Sequence, residues 1–192
     1  MSPVTVPVIR RTSCGIMCGT KEHSVPTLSY EWINPDDFLL TPSGRLWTPE
    51  RNKAAWEQSY TLLTRVLSGG PIDARPDRKR DLYLVCGLQG AGKSTWIRNN
   101  VSRLSPCVFF DAALPRAIHR LPIMTIARCA GATVHAVWIS APLEDVLHRN
   151  SLRRDDARVP EASIRSVAAQ FEPPTVSEGF VDVLAVQNGN QS

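Results

Sequence analysis

Gly87-Leu88-Gln89-Gly90-Ala91-Gly92-Lys93-Ser94 is the run in this chain whose residue types and spacing prescribe a chemistry. It fits the pattern Gly-x-x-x-x-Gly-Lys-Ser/Thr, with a short apolar strand-like run (Leu82 to Cys86) before it and a helix-forming stretch after it. Glycines let the backbone turn successive N–H groups inward, which makes a concave nest for an anion. A helix beginning near Lys93 adds its positive end. Lys93 is then placed to reach the β and γ phosphates of a nucleoside triphosphate, and Ser94 to ligate magnesium. The pattern predicts ATP with Mg2+ held by residues 87–94 and the adjoining Thr95.

A loop of this kind does not say where the γ phosphate goes, so other charged groups matter. Arg149 and Arg153 are four residues apart and share one helix face. Ahead of a turn reading Arg154-Asp155-Asp156-Ala157-Arg158, they form a cationic arm suited to transition-state charge on a phosphoryl group. The spacing is equally that of an ordinary basic helix C-terminus. Asp111 ends an apolar run, Cys107-Val-Phe-Phe110, and is expected on the same sheet edge as the loop. There it is placed either to take a proton from an acceptor hydroxyl or to hold magnesium. His119 and His135 are given no role. Cys14, Cys18 and His23 lack a fourth partner and match no standard zinc spacing.

The elements that must position these groups follow from pattern. Strand-sized apolar runs at 82–86, 107–110, 134–139 and 181–186 alternate with helical stretches near 93–103, 115–130 (jogged at Pro122), 142–153 and 160–171. Such alternation predicts an α/β fold: a small, mostly parallel sheet of four to five strands with helices on both faces. Upstream, the prolines at 3, 7, 26, 35 and 42 permit few regular elements before residue 48. Tyr30, Trp32, Ile33, Phe38 and Leu39 are nonetheless apolar enough to pack onto something. One helix is expected over 48–68. Thr48 caps it, Pro49 suits its first position, Trp56, Tyr60, Leu63 and Leu67 share a face, and Gly69-Gly70-Pro71 stops it. The chain therefore divides into an N-terminal arm with helix and linker, residues 1–80, and the nucleotide-binding unit, residues 81–192.

With 192 residues, there is room for one globular domain and an appendage. The net charge of +4, from 22 basic and 18 acidic residues, mildly favours an anionic partner. No apolar run approaches the roughly 18 residues of a membrane helix, and the N-terminus lacks the order of a signal peptide. Five cysteines, two of them inside strand-like runs, point to free thiols in a reducing compartment. A cytoplasmic chain with no membrane partner is predicted.

Taken together, Gly87 to Trp96, the arm His148-Arg-Asn-Ser-Leu-Arg153, Val159-Pro160 and Phe171-Glu-Pro-Pro-Thr-Val-Ser-Glu-Gly-Phe180 resemble the P-loop kinase domain of polynucleotide kinases and their AAA-type ATPase relatives. The resemblance covers about residues 81–187. It implies transfer of the γ phosphate of ATP to a hydroxyl, in that family the 5′ end of a nucleic acid. It implies that Lys93 and Ser94 are the loop's lysine and magnesium-binding serine, that Arg149 and Arg153 are the lid arginines, and that Asp111 activates the acceptor. Two other outcomes stay open: a small-molecule (nucleotide-sugar) kinase like the zeta-toxin-like kinases, and an ATP-binding or slowly hydrolysing module whose N-terminal arm binds a partner. The chain departs from the family in one respect. Where two aspartate-bearing strands usually stand between the loop and the lid helix, only the one ending at Asp111 is present, so Asp111 corresponds to either.

Overall fold

The computed structural model describes residues 29–42, 44–69 and 80–189. Cys14, Cys18 and His23 lie outside the described residues. Seven strands and five α-helices follow in the order β1 (Tyr30–Ile33), β2 (Leu40–Thr41), β3 (Gly44–Arg45), α1 (Pro49–Leu67), β4 (Asp81–Cys86), α2 (Lys93–Leu104), β5 (Cys107–Asp111), α3 (Ala117–Cys129), β6 (Thr133–Ser140), α4 (Leu143–Ser151), α5 (Glu161–Ala169) and β7 (Asp182–Gln187). Five of the strands form one parallel sheet in the order β1-β5-β4-β6-β7, while β2 and β3 make a small hairpin.

Side chains alternate across the central strands, so each face of the sheet owns a core. Leu82, Leu84 and Cys86 of β4, Val108 and Phe110 of β5, and Val134 and Ala136 of β6 share one cluster with Leu63 and Val66 of α1 and Ile123 and Ala127 of α3. Val85, Cys107, Phe109, Val137 and Ile139 point the other way, onto Ile97 of α2, Val146 of α4 and Ile164 of α5. Burial on both faces explains why these strands read as near-continuous apolar runs. The α/β fold expected from the alternation is the fold observed, and every strand of the main sheet is parallel.

Helix α1 starts as its capping residues dictate: the Thr48 hydroxyl accepts from the Arg51 amide at 3.2 Å, and Pro49 occupies the first helical position. Part of the segment before residue 80 packs with the unit that follows it. Tyr30–Ile33 pairs with β5 along its whole length as the edge strand of the main sheet, and Ile33, Leu63 and Leu67 sit in the same cluster as Leu82 and Leu84. The segment read as irregular thus completes the sheet, because Tyr30 and Trp32 pack on one face and Ile33 is buried on the other. Cys86 and Cys107 are buried free thiols, and burial pushes both up to about 12. Among the described residues, no helix is long and apolar enough to cross a membrane.

Candidate functional site

At the carboxyl edge of the sheet, β4 runs into the 87–94 loop and the loop into α2. Three of its glycines hold positive φ: Gly87 at 144°, Gly90 at 94° and Gly92 at 104°. At Gly87 there is no room for a side chain, because a Cβ would strike the backbone carbonyl of Ile139; at Gly92 a Cβ would meet the end of the Asn188 side chain. Glycine is therefore required at Gly87 by conformation and close approach, and at Gly92 by its positive φ. The loop is anchored by the Gly87 amide donating to the Ala113 carbonyl at 3.2 Å and the Ala91 amide donating to the Leu88 carbonyl at 3.1 Å.

Lys93, the first residue of α2, is buried with its ammonium turned back over the loop. It donates to the carbonyls of Gly87 (3.0 Å) and Leu88 (3.1 Å) and lies 4.0 Å from Asp111 Oδ1. The Ser94 hydroxyl donates to Asp111 Oδ2 at 3.1 Å. Asp111, at 1% exposure, is pushed above its ordinary pKa by burial. Lys93 and hydrogen bonds from Ser94 and the Trp32 indole pull against that shift, and the nearby Asp36 carboxylate adds to it. Ser94 and Asp111 present a pair of oxygens suited to a hard cation. Magnesium sites commonly use one or two protein oxygens, with water and phosphate supplying the rest. No group of three or more His, Cys, Asp or Glu side chains forms a metal cage among the described residues.

A cleft of about 550 Å³ opens above the loop, within the usual range for a small-molecule site. Gln89, Gly90, Gly92, Lys93, Ser94, Thr95, Asp111, Arg149 and Arg153 all line it, so the structure brings together the charged groups singled out in the sequence. Gly87, Leu88 and Ala91 belong to the loop but do not line the cleft. Arg149 reaches the loop itself, its guanidinium directed at the carbonyls of Gly90 (3.5 Å) and Asn188 (3.4 Å). Between the two arginines, the buried Asn150 side chain bonds both the amide (3.0 Å) and the carbonyl (2.7 Å) of Val159. That pair of bonds closes the 151–158 turn and fixes where Arg153 emerges.

The segment before the loop also lines the cleft: the sequence leaves the 48–67 helix either beside the sheet or over the cleft, and gives residues 34–45 no place in it. Asn34, Asp36, Arg45 and Trp56 line the cleft, joined by Arg98 from α2. Asn34 caps the 3-10 turn Pro35–Leu39, its side chain accepting from the Asp36 amide at 2.9 Å. Asp36 is thereby held at the mouth, 50% exposed, with Arg45 at 3.2 Å. Arg98 lies over the Trp32 ring at 5.6 Å, a cation–π distance. Asn188 was missed as well; its side chain donates to the Ala91 carbonyl at 2.7 Å and its amide to Ser140. One signal was readable. Tyr30-Glu-Trp-Ile33 followed by Asn34-Pro35-Asp36 repeats the order of apolar run then aspartate that marks Cys107 to Asp111. His119 serves α3 by accepting from the Arg116 amide at 3.3 Å, and His135 pairs with Asp182 at 3.0 Å; neither lines the cleft.

No protein-family model matches the chain. Among solved structures, it is similar to the unliganded crystal structure of a sugar kinase from a Janibacter species. The two are 14% identical, the match covers 60% of this chain and 87% of that one, and the TM-score is 0.38. A likeness this loose carries no functional weight.

Proposed function

We propose that the protein is an ATP-dependent phosphotransferase that moves the γ phosphate to a hydroxyl acceptor. One observation carries this reading: a glycine loop with Lys93 and Ser94, two arm arginines and two aspartates, Asp111 at the end of β5 and Asp36 in the 3-10 turn after β1, all line a single cleft. In this reading the main chain of 87–94 and the positive end of α2 hold the polyphosphate, and Lys93 leaves its two carbonyls to meet the β and γ phosphates. Ser94 and Asp111 would hold magnesium, which when bound supplies charge neutralisation on the phosphates. Arg149 and Arg153 counter the charge that spreads over the transferring group.

Proton removal falls to Asp36. Asp111 is buried and already engaged by Ser94, Lys93 and Trp32, whereas Asp36 lines the same cleft and is half exposed. Its carboxylate takes the proton from the acceptor hydroxyl as that oxygen attacks phosphorus and ADP departs. Asp36 then corresponds to the acceptor-activating aspartate that the resemblance leads one to seek, and Asp111 to the second. A nucleic acid 5′ hydroxyl is the first acceptor class to try, with nucleotide sugars second; Arg45, Arg98 and Trp56 line the acceptor side with cationic and aromatic groups suited to either. The test is a phosphotransfer screen with γ-labelled ATP offering 5′-hydroxyl RNA and DNA, nucleotide sugars, and water alone. Label appearing on an organic acceptor supports transfer. Label appearing only as inorganic phosphate, whatever the acceptor, rejects it in favour of an ATP-hydrolysing module.

A further inference from the structure

The most distinctive stretch of the sequence, Phe171 to Phe180, has no place in the chemistry above. It lies against α3 and the turn after β5, and a buried charge ties it there. Arg120, at 0% exposure, spends its whole guanidinium on this junction. Its Nε and Nη2 donate to the two Glu178 carboxylate oxygens at 2.7 and 2.8 Å, and its Nη1 donates to the carbonyls of Leu114 (2.9 Å) and Glu172 (3.0 Å). A planar fork with this many directed donors is a property of arginine and not of lysine.

Leu114 is the one non-glycine residue with positive φ among the described residues, at 46°. Leucine does not hold the left-handed region unaided. Here its side chain is buried in the core and its carbonyl is captured by Arg120. The turn so held directs the end of β5 against the start of the loop: the Ala112 amide donates to the Val85 carbonyl at 3.3 Å, and the Ala113 carbonyl accepts from the Gly87 amide at 3.2 Å. A short chain of contacts therefore runs from Glu178 through Arg120, Leu114 and Ala113 to the first amide of the loop, passing within three residues of Asp111.

We propose that Arg120, locked by Glu178, is a positioning residue for the 87–94 loop: it maintains the strained Leu114 turn that fixes Gly87 and the adjoining Asp111. The functional consequence rests on the nucleotide-binding reading; the structural coupling does not. Amide hydrogen exchange on the full chain tests the coupling. In Glu178→Gln, the Gly87 amide exchanges at least roughly tenfold faster, while that of Val137 in the centre of β6 keeps its wild-type rate. A general loss of stability accelerates both, and that outcome overturns the proposal, as does an unchanged Gly87. A second variant separates turn-holding from core-filling. Glycine accepts positive φ without help, so adding Leu114→Gly to Glu178→Gln slows Gly87 exchange back toward wild type. If Leu114 matters only as core, deleting its side chain adds damage instead, and the proposal fails.

Calorimetric titration with a non-hydrolysable ATP analogue and magnesium reads the consequence. Glu178→Gln weakens binding by roughly tenfold and Leu114→Gly restores part of it; unchanged affinity despite faster Gly87 exchange rejects the positioning role. Should the wild-type protein bind no nucleotide, the proposed function falls, and the Gly87 rates decide the clamp alone.

Discussion

Replacing Asp36 by asparagine separates the two carboxylates of the cleft. The substitution keeps the shape and removes the charge. Asp36 is half exposed and its pairing with Arg45 is a surface ion pair, of the kind worth about 0–1 kcal/mol, so the fold loses little. None of its hydrogen bonds reaches the 87–94 loop, so nucleotide affinity stays at the wild-type value. Transfer, in contrast, loses its general base, an effect of roughly 10²–10⁴-fold, or about 2.7–5.4 kcal/mol on the barrier at 1.36 kcal/mol per decade. Asp111→Asn acts elsewhere. Lys93 and Ser94 lose their anionic partner, so binding of the magnesium–nucleotide complex falls along with transfer. The assay is transfer of labelled γ phosphate to whichever acceptor the screen identifies, beside calorimetric titration with a non-hydrolysable analogue. The opposite pattern refutes the assignment. If Asp36→Asn transfers at full rate while Asp111→Asn abolishes transfer with nucleotide binding intact, the base is Asp111.

Three further outcomes follow from the same geometry. Lys93→Ala removes a cation poised over the loop, and with it charge-assisted hydrogen bonds of about 1.5–3 kcal/mol, so analogue affinity falls roughly 10- to 150-fold in titration; wild-type affinity would place the nucleotide off this loop. Gly87→Ala forces a Cβ onto the Ile139 carbonyl at a φ of 144°, at a cost of about 3 kcal/mol or more in denaturant unfolding, whereas Gly131→Ala, with φ 67° and open space around it, costs about 1–2 kcal/mol; equal losses would show that β6 does not abut the loop as described. For Asp111 the raised pKa sets the sign of a pH effect: its folded form binds protons more tightly than the unfolded chain, so its contribution is fully present below the ordinary aspartate value and lost as pH rises through the folded value. Asp111→Asn therefore raises the melting temperature of the nucleotide-free protein at neutral pH, and the gain shrinks toward pH 4; a gain that grows on acidification contradicts burial as the dominant cause.

What the sequence made legible was what is local. The loop could be read because its glycines, lysine and serine stand in one register between an apolar strand and a helix, and all the forces that shape it act within a dozen residues. The α1 helix could be read from its cap and its first-turn proline for the same reason. Arg149 and Arg153 were visible as a spacing of four, but nothing in that spacing reveals that Arg149 meets the carbonyls of Gly90 and Asn188. The misses are long-range. Strand β1 has four residues, too few for a period, and its partner β5 lies far along the chain. The Arg120–Glu178 pair spans 58 positions, and an arginine inside an otherwise amphipathic helix looks like a solvated one until its partner is seen.

The missing aspartate-bearing strand shows why chain order is a poor guide to such a site. In a parallel sheet, every strand delivers its following residue to the same edge, whatever its place in the sequence. Ile33 is in register with Phe110, and Val85 with Asp111, so residues 34–36, Asp111 and the loop beginning at Gly87 emerge side by side. Under the proposed function, the second aspartate is Asp36, upstream of the loop on the segment that enters the sheet beside β5. Pairing specificity makes that placement possible: Tyr30 and Trp32 bury toward α2 while Ile33 buries toward α1, and a slip of one residue would exchange these faces. The register that satisfies the two cores is thus the register that carries Asp36 to the cleft, and this part of the cleft lining is a consequence of how an edge strand hides its side chains.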